Sequence, residues 1–424
     1  MFKKIFKYFT TDDILKGLSI AILLSSFIYF SYINIENKFI NTVFGLLGLY
    51  LIIDNKNRVW FWSGFFIALF WFWWILLSFR FYDMAWAIPI GTLMVALVYG
   101  FLFWFFAFLS NKFSKTLKIP ISIFHAFFLL GFSYIHPFEF DWFKPELVFV
   151  DSFIGITKWQ FAIVLSAIVL SKISNKLIFL WLIVFAYSGW IIKQEKPELQ
   201  NIKIITTNIS VDDKWQETHQ DSMFKIFFKQ IDKAITQKKK IVVFPESVFP
   251  LFLNLKPELL SQLQEKAKKI DMVIGALYLD KHVPRNSTYV FTNNKIMVIN
   301  KAVLVPFGEA NPLPQWLGKY INKIFFKEGV IDYVASDNIT DYKLENKRIR
   351  NAICYEATSE ELYKDGPKHM IAISNNGWFL PSTEPTLQKL LLKYYSKKYG
   401  TTIYHSINMS PSYIVRNGEV FYVK

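Results

Sequence analysis

Seven times between residues 14 and 193 the chain repeats one pattern, a long apolar run closed by a short break that holds a few charges. A membrane-spanning helix needs roughly 20 mostly apolar residues. Runs of that kind fall at 14–33, 37–54, 59–79, 85–110, 118–135, 156–172 and 176–193, the second and sixth being short. In lipid each backbone N–H must find its partner within its own segment, so these runs are expected to form a multi-pass helical bundle. From Lys193 onward Lys, Glu, Asp and Asn return at the frequency of an ordinary soluble domain. The 424 residues therefore read as two folding units, a bundle over 1–195 and a globular domain over 196–424.

Charge sets the expected orientation. With the N-terminus inside, the inner segments hold Lys3, Lys4, Lys7, Lys56, Arg58, Lys112, Lys115, Lys118, Lys172 and Lys176, and the outer loops hold Lys38, Arg80, Lys144 and Lys158. That is the positive-inside bias, and an odd number of spans places everything after Trp190 outside the cytoplasm. The basic MFKKIFKYFT start lacks a small-residue cleavage site and reads as part of a retained first span. The net charge of +15 fits loops facing anionic lipid, and nucleic acid is not an expected partner. With one cysteine there is no internal disulfide and no thiolate metal cluster, and the six His residues are scattered. No metal or cofactor is expected. A monomer is the default.

The third run carries Trp60, Trp62, Trp71, Trp73 and Trp74, which we read as aromatic packing between helices. His125, inside the fifth, is read as a helix-to-helix hydrogen bond, because no acid accompanies it in the spans.

The second half alternates strand-like and helical segments. Strands are expected at 202–209, 240–244, 272–278, 287–292, 296–304, 347–354, 369–374, 402–408 and 412–423, and helices at 219–236, 257–269, 358–364 and 383–399. Asp221-Ser222 and Pro257 read as helix-start signals. The alternation makes an α/β domain, with no glycine-rich nucleotide loop.

Strand ends present side chains at the rim of such a sheet, so polar residues directly after apolar strands are the places to look for chemistry. Three junctions qualify: Val242-Val243-Phe244-Pro245-Glu246-Ser247, Ile299-Asn300-Lys301 running into Leu304-Val305-Pro306-Phe307-Gly308-Glu309, and Ala352-Ile353-Cys354-Tyr355-Glu356. Alone, a strand-end Cys is usually a small buried hydrophobe, and Glu246 and Lys301 could be solvated surface charges. Together the three supply a thiol, a base for its proton and a cation that stabilises an oxyanion.

These segments resemble the nitrilase (carbon–nitrogen hydrolase) superfamily, and the whole chain is similar to the apolipoprotein N-acyltransferases of bacterial envelopes. Pro245-Glu246-Ser247 resembles the base motif, Lys301 to Glu309 (KAVLVPFGE) the lysine motif, and Cys354-Tyr355-Glu356 the nucleophile motif. Trp215 and the stretch Ser374 to Phe379 (SNNGWF) resemble further family positions. The resemblance implies a four-layer αββα sandwich outside the inner membrane, with Cys354 as nucleophile, Glu246 as base and Lys301 as oxyanion partner. Tyr355, through its backbone N–H, would join the oxyanion hole, with Glu309, Glu356 and Trp215 in support. The implied reaction is ping-pong: an acyl chain passes from a phospholipid to Cys354 as a thioester, then to the α-amine of a diacylglyceryl-cysteine on an apolipoprotein. The chain departs from the family pattern at Phe244, at Val303, after Glu309 and in the loop 137–148. The family's usual final spanning helix is not seen before Lys424, so the domain is expected to be tethered at one end.

Two apolar stretches suit a lipid substrate independently. Phe249, Leu251 and Phe252 follow Glu246 directly, and Trp316 and Tyr320 belong to a basic amphipathic helix with Lys319, Lys323 and Lys327. Burial on the domain's own core is the competing reading for both. Two other functions stay open at this point: a membrane-tethered amidase using the same three residues, and a non-enzymatic membrane scaffold.

Overall fold

The computed structural model describes residues 10–189, 199, 201–292, 294–306, 308–309 and 333–423. The expected basic start and the amphipathic helix with Trp316 and Tyr320 lie outside them. The chain divides into two compact units, one of Met1–Pro137, Asp141–Lys193 and Pro381–Leu390, the other of Phe138–Phe140, Gln194–Leu380 and Leu391–Lys424.

The first unit contains α1 (Thr11–Tyr32), α2 (Lys38–Ile53), α3 (Asn57–Phe72), α4 (Ala87–Leu117), α5 (Ile121–Gly131) and α6 (Lys158–Ser174). Helix starts follow local chemistry: Thr10 and Asp13 form a capping box on α1, and Thr157 with Gln160 form one on α6. Among the described residues α1 and α4 are long and apolar enough to cross a membrane, while α2 and residues 121–134 and 177–186 are apolar but shorter. The run at 59–79 stops being α-helical at Phe72, and the segments Leu77–Tyr82 and Leu177–Ala186 are 3₁₀ helices. Such short tight turns carry the chain where a full helix was expected.

Small residues set the helix contacts. A Cβ on Gly64 of α3 would come within 2.7 Å of the Tyr99 carbonyl of α4. Trp60, 4.5 Å from the His125 ring, and Trp71, 5.2 Å from Phe27 of α1, pack between helices as expected, whereas Trp74 lies beyond α3 and packs 5.2 Å from Trp142 in the non-helical segment 141–144. His125 Nδ1 lies 2.7 Å from the Ile53 carbonyl, joining α5 to the end of α2. The segment 141–150 is buried along its whole length. Its charges are paired there, Lys144 with Asp141 at 3.2 Å and Glu146 with Lys158 at 2.9 Å and with Ser133 at 2.6 Å.

The second unit holds two mixed six-stranded sheets among the described residues. The first contains β1 (Ile202–Ile204), β2 (Ile241–Val243), β3 (Phe249–Phe252), β4 (Asp271–Asp280), β5 (Val283–Thr292) and β6 (Lys295–Asn300). β1, β2 and β4 run parallel, β3 adds to β4, and β5 and β6 continue antiparallel. The second runs β7 (Asp341–Leu344), β8 (Lys347–Ile353), β9 (His369–Asn375), β10 (Thr402–Asn408), β11 (Tyr413–Arg416) and β12 (Glu419–Tyr422), parallel from β8 to β10. Among the described residues four helices accompany them: α7 (Val211–Lys214), α8 (Glu217–Thr236), α9 (Pro257–Ala267) and α10 (Glu384–Tyr399).

Alternation along the strands builds the layers. Ile204, Val243 and Val273 of the first sheet share one core with Ile349, Ile371 and Ile373 of the second. The opposite face of the first sheet, with Val242, Met272 and Ile274, packs on Phe227 and Ile231 of α8 and Leu263 of α9. On the far face of β9, Met370 meets the Tyr363 hydroxyl at 3.6 Å, and Tyr395 of α10 stacks on Tyr363 at 4.6 Å. The order is helix, sheet, sheet, helix.

Differences from the sequence reading have local causes. The first strand ends at Ile204 rather than Ile209 because the chain then crosses to β10, where Thr207 bridges Asn408 and Ser406 Oγ donates to the Ile205 carbonyl at 2.7 Å. The expected strand at 412–423 is a hairpin turning at Asn417-Gly418, both at positive φ, a signal present in the sequence and passed over. Asp221-Ser222 sit inside α8, which starts at Glu217 after Gln216, whereas Pro257 does open α9. The expected helix at 358–364 is two 3₁₀ turns, Cys354–Thr358 and Glu360–Tyr363.

Candidate active site

Glu246 follows β2 through Phe244 and Pro245, is buried, and is succeeded by Ser247 in the left-handed region at φ 48. Such a backbone at a non-glycine residue is strained and turns the chain sharply. The turn rests on β4: a Cβ on Gly275 would come 2.6 Å from both the Pro245 carbonyl and the Ser247 nitrogen. Backbone cannot yield as a side chain can. Gly275→Ala is therefore expected to cost about 1–3 kcal/mol by overpacking. By displacing Glu246 it should also slow any reaction of Cys354 by about 10²-fold. Unfolding and single-turnover measurements check this, and wild-type behaviour in both would show that the contact is slack.

Glu246 is held from two sides. Asn286 Nδ2 of β5 donates to one carboxylate oxygen at 2.8 Å, and the backbone N–H of Asn375, at the end of β9, donates to the other at 2.9 Å. Asn375 is fixed by the Asn408 amide at 2.7 Å, and Asn408 by Thr207 at 2.7 Å. Buried Lys214 donates to the Glu246 carbonyl at 3.3 Å, and burial draws its own pKa down to about 8 against the pull of Glu246. Burial is also the largest influence on Glu246, and it raises this carboxyl above its ordinary range although Lys301 opposes it.

Lys301 follows β6 and is buried, its ammonium 2.7 Å from Glu309 Oε2. Burial disfavours its charge, but Glu309, Glu246 and Cys354 together outweigh that and hold it firmly protonated. Asn286 Nδ2 also reaches Glu309 at 3.1 Å, so one amide bridges the two carboxylates on either side of the cation.

The strand expected over 296–304 stops at Asn300 for a reason that belongs to the site. The N–H groups of Ala302 and Val303 donate to Glu356 Oε2, at 2.9 and 3.1 Å, in place of a neighbouring strand. Glu356 Oε1 accepts from the Ile353 N–H at 2.6 Å. One buried carboxylate thus ties the Lys301 loop to the Cys354 turn. Burial pushes its pKa up to about 7, against Lys301 and these three N–H groups.

Cys354 directly follows β8 at φ 55, half-buried, and opens the 3₁₀ turn Cys354–Thr358. Tyr355 is buried, with its ring stacked on Phe140 at 5.7 Å. Of the expected residues, Glu246, Lys301, Glu309, Cys354 and Glu356 come together. Trp215 is 39% exposed beyond α7, and its neighbour Lys214 is the one that touches Glu246.

The expected lipid-facing segment after Glu246 needs correction. Phe249 is 1% exposed in β3, packed on Phe224 and Phe227 of α8, so it is core; Leu251 and Phe252 are half-buried. Asn286, Lys214 and Asn408 were missed, and Asn375 was covered only within the stretch Ser374 to Phe379. Asn286 sits inside β5 between Arg285 and Ser287, and its polar neighbours left no local signal to single it out.

Asn286 stabilises the ionised form of Glu246, so Asn286→Ala should raise that pKa further. The acid limb of the pH profile for Cys354 acylation should then move to higher pH with little change in the plateau. An unmoved limb would separate Glu246 from the rate.

Comparison with known proteins places the chain. The family model "Apolipoprotein N-acyltransferase integral membrane domain" matches residues 11–190. An apolipoprotein N-acyltransferase of Wolinella succinogenes is 37% identical over 400 residues, covering 93% of this chain and 94% of the relative. The chain belongs to the apolipoprotein N-acyltransferase family. Family members from Campylobacter jejuni, 34% identical over 95% of this chain and 89% of theirs, and Helicobacter pylori, 32% identical over 90% and 89%, are also similar. Among solved structures, a CN-hydrolase superfamily protein from Xanthomonas campestris aligns at 12% identity with a TM-score of 0.39, over 52% of this chain and 85% of its own. An amidase of the nitrilase superfamily from Nesterenkonia aligns at 11% identity and 0.40, over 52% and 84%. Family membership makes the chain a membrane-embedded enzyme of N-acyl transfer.

Proposed function

We propose that this chain transfers a fatty acyl group from a phospholipid to the N-terminal diacylglyceryl-cysteine of apolipoproteins, through a thioester on Cys354. Glu246 takes the thiol proton as the sulfur attacks the donor's ester carbonyl. Lys301 and the Tyr355 N–H stabilise the oxyanion, and Glu246 returns the proton to the departing lysophospholipid oxygen. In the second half-reaction the α-amine attacks the thioester, Glu246 takes the amine proton, and the thiolate leaves and is reprotonated. The observation that carries this reading is the buried Lys301 ammonium, 2.7 Å from Glu309 and within electrostatic reach of both Glu246 and Cys354. A carboxyl raised by burial suits a group that must accept and then return a proton.

In this reading the first unit crosses a bacterial inner membrane several times, the catalytic domain is periplasmic, and the enzyme works as a monomer. The apolar runs and the excess of Lys and Arg in alternate loops support the topology. The test is intact-mass analysis after incubation with phospholipid. A fatty-acyl mass on Cys354, removed by a diacylglyceryl peptide with a free amine, is expected. Labelling by a soluble amide with none from phospholipid would make the chain an amidase instead.

A further inference from the structure

At one end of the first unit, the start of α3 and the end of α4 border an open cavity of about 680 Å³. Lys56, Arg58, Lys112 and Lys115 line it against one carboxylate, Asp54. Asp54 is itself turned to Lys172 at 3.9 Å, and Arg58 lies 3.9 Å from Asp13. Among the described residues the ammonium groups of Lys56, Lys112 and Lys115 have no carboxylate partner, which leaves the cavity with surplus positive charge.

Backbone adds to that charge. Helix α3 is 16 residues long and begins after Lys56 without a side-chain cap, so its first N–H groups, on cavity-lining Asn57 and Arg58, are open to an anion. Asn111 donates to Asn57 Oδ1 and fixes the two helices to each other beside the cavity. The apolar wall is Phe108 with Ile121, and from Phe108 the residues Phe105 and Phe101 continue along the same face of α4, 45% and 58% exposed. A polar, cationic cavity that opens onto an exposed aromatic stripe matches an amphiphile with an anionic head, and a free anion would make no use of the stripe.

We propose that this cavity binds the phosphate headgroup of an anionic phospholipid whose acyl chains lie along Phe101, Phe105 and Phe108. The site is built entirely from the first unit and shares no residue with the acyl-transfer site proposed above. Its occupant is a bound lipid rather than a consumed one. The positive-inside pattern assigns this end to the cytoplasmic leaflet, where anionic lipid meets polybasic segments.

The test uses the full chain carrying Cys354→Ala, so that no acyl turnover occurs and the outcome does not depend on the transfer reaction. Delipidated protein in detergent is titrated with phosphatidylglycerol, phosphatidylcholine or inorganic phosphate and read by native mass spectrometry. The triple variant Lys56→Gln/Lys112→Gln/Lys115→Gln should bind phosphatidylglycerol at least about tenfold more weakly, with phosphatidylcholine unchanged. The matching Lys→Arg triple should bind like wild type. Single Lys→Gln variants, each weakened about two- to threefold, serve if the triple does not fold. Equal phosphatidylglycerol binding by wild type and the Gln variants would overturn the proposal. So would inorganic phosphate that binds as tightly and displaces the lipid, since the occupant would then be a soluble anion.

Discussion

Cys354→Ala should abolish the acyl adduct and lower transfer to the apolipoprotein amine by at least about 10⁴-fold, because in the proposed mechanism its thiol carries the acyl group between half-reactions. The fold should survive. Alanine meets the same backbone cost as cysteine at φ 55, and losing one half-buried sulfur removes little packing. Mass spectrometry reads the adduct, and transfer to a diacylglyceryl peptide reads the rate. A variant that keeps more than a tenth of wild-type transfer would remove Cys354 from the mechanism and place the acyl intermediate elsewhere. Cys354→Ser separates chemistry from packing: it keeps the shape but offers a poor nucleophile to a weak carboxylate base, so it should also fail.

Much of this site was legible because its residues stand where strands end. Lys301 and Cys354 directly follow β6 and β8, and Glu246 stands three residues past β2, so all three lie where strands end at the sheet rim. Less legible was what holds them there. Asn286 and Asn375 reach Glu246 from β5 and β9, strands far apart in sequence, and no local pattern marks such a pairing. Glu356 was visible beside Cys354, but its capture of the Ala302 and Val303 N–H groups was not, so the strand there was read four residues too long. Phe249 misled for the opposite reason. An apolar stretch beside polar chemistry resembles a greasy loop until a strand and the α8 aromatics cover it. In the first unit, hydropathy located the apolar runs but could not tell α-helix from the 3₁₀ turns at Leu77–Tyr82 and Leu177–Ala186, because apolar residues dominate both.

Lys301→Met should lower the rate of Cys354 acylation by about 10²–10³-fold, the usual effect of removing one oxyanion donor. It should also destabilise the domain at neutral pH by about 3–5 kcal/mol, because breaking a buried ion pair strands its partner. The two effects have different origins and can be separated. Without the cation, Glu246 and Glu309 remain joined by the Asn286 amide, with only the weaker pull of Lys214 on Glu246 to offset their charges. Burial already raises Glu246, and losing Lys301 removes the main influence that opposes this. A carboxyl whose folded pKa lies above its unfolded one stabilises the fold fully below the unfolded value and loses that contribution as pH rises through the folded value. The stability deficit of Lys301→Met should therefore be small near pH 4 and grow toward pH 8. Adding Glu309→Gln removes one stranded charge, so the double variant should recover stability at neutral pH while acylation stays slow. If stability and rate recover together, Lys301 acts only by holding the fold, and the oxyanion must be stabilised by backbone N–H groups alone.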